Sequence, residues 1–187
     1  MFERRKSKEI QIGNIAIGGN NPIAVQSMLN VESHDIQGNI EQALRLQKAG
    51  CQIVRLAVPD MEAVKTVYEL KKHIDIPLVA DIHFDYRLAL ESAEAGVDKI
   101  RINPGNIGSD ERVKAVVDKC NSKNIPIRIG VNSGSLEKEI YAKYGAPVSA
   151  ALAESAMYHV KLLERFDFDN IVISLKSSNV NYMVEAY

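Results

Sequence analysis

Tryptophan is missing from this 187-residue chain, and cysteine occurs twice, at Cys51 and Cys120. Two cysteines this far apart match no zinc or iron-sulfur ligand spacing and build no disulfide framework. Both lie in apolar surroundings, so buried reduced thiols and a cytoplasmic location are expected. Lys and Arg (23) nearly cancel Asp and Glu (24), so no overall basicity points to nucleic acid, and any anion site must be local. No apolar run approaches the ~20 residues of a membrane span. The N-terminal MFERRKSKEI is basic but lacks the apolar core of a secretory signal. Tyr141, Tyr144, Tyr158, Tyr182 and Tyr187 form no stacking platform at useful spacing. His34, His73 and His159 read as solvated or capping.

What the chain does have is one pattern repeated six times: a short apolar strand, a loop, an amphipathic helix. The strands are IAVQSM (23–28), QIVRLA (52–57), PLVADIH (77–83), KIRIN (99–103), PIRIGVN (126–132) and NIVISLK (170–176). Their Ile and Val content suits strands covered on both faces. Helices are predicted over 36–49, 61–73, 86–95, 110–122 and 149–165, with a smaller one near 136–144. Asp60, Asp85 and Ser109 stand where helix N-caps belong, and Gly96 where a helix stops. Leu44 and Tyr68 are placed on inward faces by their spacing.

Strand–helix alternation implies right-handed crossovers and a parallel sheet. Two closures are open, a doubly wound sheet and a (β/α)8 barrel, and no G-x-G-x-x-G follows the first strand to favour the former. Ahead of the strands, QIGNIAIG (11–18) alternates around Gly13-Asn14 like a small hairpin, suited to plugging a barrel's bottom. The fold class predicted is α/β: a partial (β/α)8 TIM barrel of about six βα units with a short N-terminal hairpin.

Side chains alternate faces along a strand. Applied to the strand ends, that rule puts Arg55, Asp81 and His83, Arg101 and Asn103, Arg128 and Asn132, and Ser174 and Lys176 on one parity. The opposite parity is aliphatic. In a barrel the polar parity faces inward, and its C-terminal end is the mouth, where active sites lie. Any one of these residues has an ordinary explanation: a strand-end Arg is usually half of a salt bridge, and Asp81 could bridge Arg55 or Arg101. Their shared face and end are what the ordinary readings leave unexplained. Arg55, Arg101, Arg128 and Lys176 around one acid repel each other and are costly to desolvate without an anion. Arginine holds phosphate bidentately, so a phosphate or diphosphate ester is the expected ligand. The stretches NPGNIG (103–108) and NSGS (132–135) could add backbone N–H groups to it. Asp81 and His83 have no third ligand on their parity, so no metal is expected.

VQSM (25–28), VRLAVPD (54–60), VADIHFD (79–85), KIRINPGNIG (99–108), RIGVNSGSLE (128–137) and ISLKSS (173–178) together resemble the 4-hydroxy-3-methylbut-2-enyl diphosphate synthases, over essentially the whole chain and in order. The resemblance implies a TIM barrel followed by a smaller domain carrying a [4Fe-4S] cluster. It also implies reductive opening and dehydration of 2-C-methyl-D-erythritol 2,4-cyclodiphosphate in isoprenoid biosynthesis, with two electrons from ferredoxin or flavodoxin. By motif position Arg55, Arg101, Asn103, Arg128, Asn132 and Lys176 would hold the diphosphate. Asp81 and His83 would lie near the sugar-derived carbons as hydrogen-bonding or proton-handling groups. The family works as a homodimer in which one subunit's cluster domain covers the other's barrel. Residues 1–187 are expected to be a truncated substrate-binding barrel without the cluster domain, unable to turn over alone and prone to self-association at its open edges. A non-catalytic phosphate-binding module and a pterin-binding type of barrel synthase are the competing readings.

Overall fold

Branched aliphatic segments of four to six residues, punctuated by capped amphipathic helices, leave the chain little choice but a sheet with helices outside it. The computed structural model describes residues 6–187, so the first half of the basic N-terminal stretch lies outside the described residues. In chain order the elements are β1 (Ile10–Ile12), β2 (Ile15–Ile17), β3 (Gln26–Met28), α1 (Ile36–Lys48), β4 (Ile53–Ala57), α2 (Met61–His73), β5 (Leu78–Asp81), α3 (Tyr86–Glu94) and β6 (Lys99–Ile102). They continue with α4 (Pro104–Ile107), α5 (Asp110–Lys123), β7 (Ile127–Asn132), α6 (Lys138–Tyr144), α7 (Ser149–Glu164), β8 (Ile171–Lys176) and α8 (Val180–Ala186). Strands β3 to β8 form one six-stranded sheet in sequence order, every pairing parallel. The sheet curls into a half-barrel.

Local signals explain most boundaries. The Asp60 carboxylate accepts from the N–H groups of Glu62 and Ala63, and Asp85 from that of Arg87, as N-caps should. Ser109 precedes α5 but its side chain makes no capping bond. The strands are shorter than their apolar runs, most of all at 23–28, where only Gln26–Met28 pairs. Leu44 and Tyr68 prove exposed: at the edges of their stripes, they turn to solvent while Ile40, Ala43, Val64 and Val67 fill the interface. Two elements are absent from the sequence reading. Asn103-Pro-Gly-Asn is not a plain loop but the start of α4, with Asn103 as N-cap and Pro104 in the first turn. Helix α8 follows β8, capped by Asn179.

The two parities of the sheet have different partners. Val54, Leu56, Ile100, Ile102, Ile127, Ile129 and Val131 pack under the helices in the main core with Cys51 and Cys120. Both cysteines are free and buried, as expected. On the inner face Ile53 and Val79 form a second cluster with Ile10 and Ile12, flanked by Ile15, Ile17, Ala24 and Val172. The antiparallel β1–β2 hairpin, turning at Gly13 (φ +54°), therefore seals the N-terminal end of the half-barrel, as predicted. The inner face is mostly apolar where the hairpin covers it, Lys99 beside Val79 being an exception, and polar beyond. Among the described residues no helix is long and apolar enough to cross a membrane.

Because Ile12 is wholly buried in this seal, Ile12→Ala should cost about 2–5 kcal/mol in urea unfolding followed by circular dichroism. A loss under about 0.5 kcal/mol, the range of a surface change, would mean that the hairpin does not close the barrel floor.

Candidate functional site

Strand register fixes the core of the site. Asp81 pairs with Arg101, and Arg101 with Arg128, so three charged residues from β5, β6 and β7 stand side by side on the inner face. One strand over, Arg55 of β4 reaches Asp81 and donates to its Oδ2 from Nη2. Arg101 Nη1 donates to Oδ1 of the same carboxylate at 3.1 Å, and His83 Nε2 lies 3.4 Å from Oδ2. The Asp81 side chain is 1% exposed. It therefore bridges both arginines at once.

Among the described residues Arg128 makes no such ion pair. Its Nη2 donates to the Ser174 hydroxyl at 2.6 Å. Burial, with the neighbouring Arg55 charge next in weight, pulls its pKa down. Arg55 Nε is buried with no hydrogen-bond partner among the described residues. Above this layer Asn132 pairs with Lys176 across β7 and β8. A cavity of about 470 Å³ opens here, with Arg55, His83, Arg101, Arg128, Asn132 and Lys176 in its wall. Of the residues singled out in the sequence, Asp81 lies behind the wall as the anchor. Asn103 is buried and spends its side-chain oxygen on the Gly105 N–H, 3.1 Å away. The Asn106 N–H is taken by the Asn103 carbonyl. Those two amides of the 103–108 segment are thus committed to its own helical turn and are not offered to a ligand.

Gly130 shows why the arrangement needs a missing side chain. A Cβ there would come within 2.6 Å of Arg101 Nη2, so the Arg101 guanidinium occupies the space that a side chain at position 130 would take.

Sequence reasoning missed Lys99. It shares the parity of Arg101, two residues earlier, and is 3% exposed. Its pKa falls to about 8, first from burial, then from the Arg128 and Arg55 charges. No carboxylate hydrogen bonds to it among the described residues. The parity rule could have found it, since Lys99, Arg101 and Asn103 alternate regularly. Sequence reasoning also missed His159, read as solvated or capping. It is fully buried on α7, with Nε2 2.5 Å from Glu137 Oε1. His34 stays at the surface against Asp60, which raises its pKa chiefly through that hydrogen bond.

The fold and this mouth define a TIM-type barrel protein with a cation-rich C-terminal rim. More closely, the chain belongs to the GcpE TIM-barrel domain family, which it matches over residues 7–187. It is 58% identical over 183 residues to a protein of Fusobacterium nucleatum, covering 98% of this chain and 52% of the relative. With a Caldanaerobacter subterraneus protein it shares 59% over 184 residues, 98% of this chain and 52% of that one. Both relatives are named 4-hydroxy-3-methylbut-2-en-1-yl diphosphate synthase (flavodoxin). The chain spans about half the length of the curated relatives it matches. Among solved structures, Yersinia pestis dihydropteroate synthase superposes with a TM-score of 0.62 at 14% identity, over 88% of this chain and 61% of that one. This likeness concerns the fold alone.

An iron-sulfur cluster needs several thiolates in one place. Cys51 and Cys120 do not supply them: both are single core residues, burial pushes the Cys120 thiol up to about 12, and no group of three metal-binding side chains occurs among the described residues. These residues do not fit a cluster.

Lys99 makes a pH prediction. Its proton is held more weakly in the folded chain (about 8) than at the ordinary 10.5, so protonation favours unfolding and stability should rise as pH climbs from 8 towards 10.5. The penalty below pH 8 is of order 3 kcal/mol at most. Lys99→Met should raise the melting temperature at pH 7 and flatten the rise between pH 8 and 10. A lower melting temperature at pH 7 would show that the buried amine has a partner.

Proposed function

We propose that this chain is the diphosphate-binding barrel of a 4-hydroxy-3-methylbut-2-en-1-yl diphosphate synthase. Its ligand is then 2-C-methyl-D-erythritol 2,4-cyclodiphosphate, which the whole enzyme opens by reduction with loss of water. One observation carries this reading: four cations, Arg55, Arg101, Arg128 and Lys176, line one cavity, Lys99 is buried on the same parity two residues before Arg101, and the carboxylate behind the wall, Asp81, is already shared by Arg55 and Arg101. A ligand bearing several negative charges supplies what the site lacks, and each charge-assisted hydrogen bond to it contributes about 1.5–3 kcal/mol.

In this reading Arg101, Arg128 and Lys176 grip phosphate oxygens, with Arg55 and Asn132 beside them. Asp81 holds Arg55 and Arg101 in place. His83, half-exposed in the wall, is the group available to donate a hydrogen bond or a proton near the carbon skeleton. Asn103 acts by shaping α4, with its NH2 group left for the ligand. Electrons for the reaction come from flavodoxin, the donor in the relatives' name. The working unit is a cytoplasmic homodimer whose cluster domain is separate from this barrel.

Calorimetry with the cyclic diphosphate, inorganic pyrophosphate and a pterin diphosphate tests the reading. The cyclic diphosphate should bind at least about tenfold more tightly than the pterin compound. Preference for the pterin compound would favour the other barrel synthases, and equal affinity for all three a general phosphate module. Gly130→Ala pushes the Arg101 guanidinium aside and should weaken cyclic diphosphate binding about tenfold or more while the chain stays folded. Unchanged affinity would remove Arg101 from the ligand's contacts.

A further inference from the structure

Outside the mouth, an acid–base pair joins the segment that follows Asn132 to helix α7, and the segment that starts at Asn103 packs against it. Glu137 lies just beyond the Ser133–Ser135 turn that follows β7, at the N-cap of α6. Its Oε1 is 2.5 Å from Nε2 of His159, which projects from the middle of α7. Both groups are withdrawn from water: the His159 side chain is 0% exposed and that of Glu137 19%. Burial works against the Glu137 charge, yet the His159 hydrogen bond, among other contacts, outweighs it and holds the carboxyl at about 2. The α4 segment rests directly on this pair. A Cβ on Gly105 would lie 3.1 Å from His159 Cε1, 3.4 Å from Asn103 Oδ1 and 3.6 Å from Glu137 Oε1.

The pair is poorly explained as a source of stability. Ser155 also hydrogen bonds to Glu137, but His159 Nδ1 is buried with no hydrogen-bond partner among the described residues, and such an orphan is a cost. Apolar side chains of similar volume commonly serve stability as well or better. What they could not do is fix distance and direction, which a short charge-assisted bond between two separate elements does.

We propose that Glu137 and His159 form a strut that sets the spacing between the 103–108 segment and the 132–137 segment, and thereby the fit of the mouth to two linked phosphates rather than one. They are positioning residues: neither lines the cavity. The inference rests on the diphosphate reading above. A rigid strut makes the mouth selective, because a site of fixed span rewards a pyrophosphoryl group over a single phosphate. Loosened, the cations would still attract any phosphate.

The test compares inorganic pyrophosphate with inorganic phosphate by calorimetry on the 187-residue chain, unaltered and as His159→Leu and His159→Gln, with melting temperatures recorded alongside. Gln can present an N–H near the position of Nε2, so it restores the strut without the ring. The unaltered chain should prefer pyrophosphate, His159→Leu should lose that preference by about tenfold, and His159→Gln should recover most of it. A general loss of packing would lower the melting temperature of both variants without separating their preference ratios. If His159→Leu keeps the preference, or if His159→Gln loses as much as His159→Leu, the strut is refuted. His159→Gln, with its amide in place of the ring, still decides the matter if His159→Leu fails to fold: full loss of preference in it refutes the proposal, retention supports it. No pyrophosphate binding by the unaltered chain would instead remove the diphosphate reading, and the strut's purpose with it.

Discussion

Everything at the mouth depends on one carboxylate serving two guanidinium groups. Asp81 accepts from Arg55 on one oxygen and from Arg101 on the other, while fully enclosed. Removing it would leave two part-buried cations beside Arg128 and Lys99 without their shared counter-charge. Keeping it neutralises only part of the charge. The site is thus assembled and under-neutralised at once, which is what a receptor for a multiply charged anion requires: the donors are aimed beforehand, and the ligand completes the balance.

The fold delivers this through two properties of parallel strands. Alternation sends every second side chain inward, and in-register pairing puts Asp81, Arg101 and Arg128 next to one another. The hairpin then divides the inner face by depth. Ile10 and Ile12 cover Ile53 and Val79 at one end, and apart from Lys99, which pairs with Val79, the charged groups lie towards the other. Gly130 is the finest adjustment in this scheme, a side chain left out where its neighbour's guanidinium takes the space.

Much of this was legible in the sequence because strands obey a period of two with few exceptions. Arg55, Asp81, His83, Arg101, Arg128 and Lys176 could be placed at one rim without coordinates, and the rim is where the structure puts them. Asn103 was placed on the right face but not in its capping role, because Asn-Pro-Gly-Asn reads equally well as a turn and as a one-turn helix. Lys99 escaped because a lysine at a strand's first position is usually solvated; only the depth of the half-barrel makes it buried. His159 escaped for a related reason. Its helix was recognised by Leu152, Ala156, Val160 and Leu163, and position 159 belongs to the same stripe, but a polar residue there signals burial only once a partner is known. That partner, Glu137, comes from another element, and no local pattern links the two.

Diffraction from crystals of this chain grown with 2-C-methyl-D-erythritol 2,4-cyclodiphosphate bears most directly on the central claim. The account predicts both phosphate groups within hydrogen-bonding distance of Arg101, Arg128 and Lys176, with Asp81 still joined to Arg55 and Arg101 beneath them. Density for the ligand outside the mouth, for example in the groove beside Phe84 and Arg112, with the arginine cluster left unchanged, would contradict it.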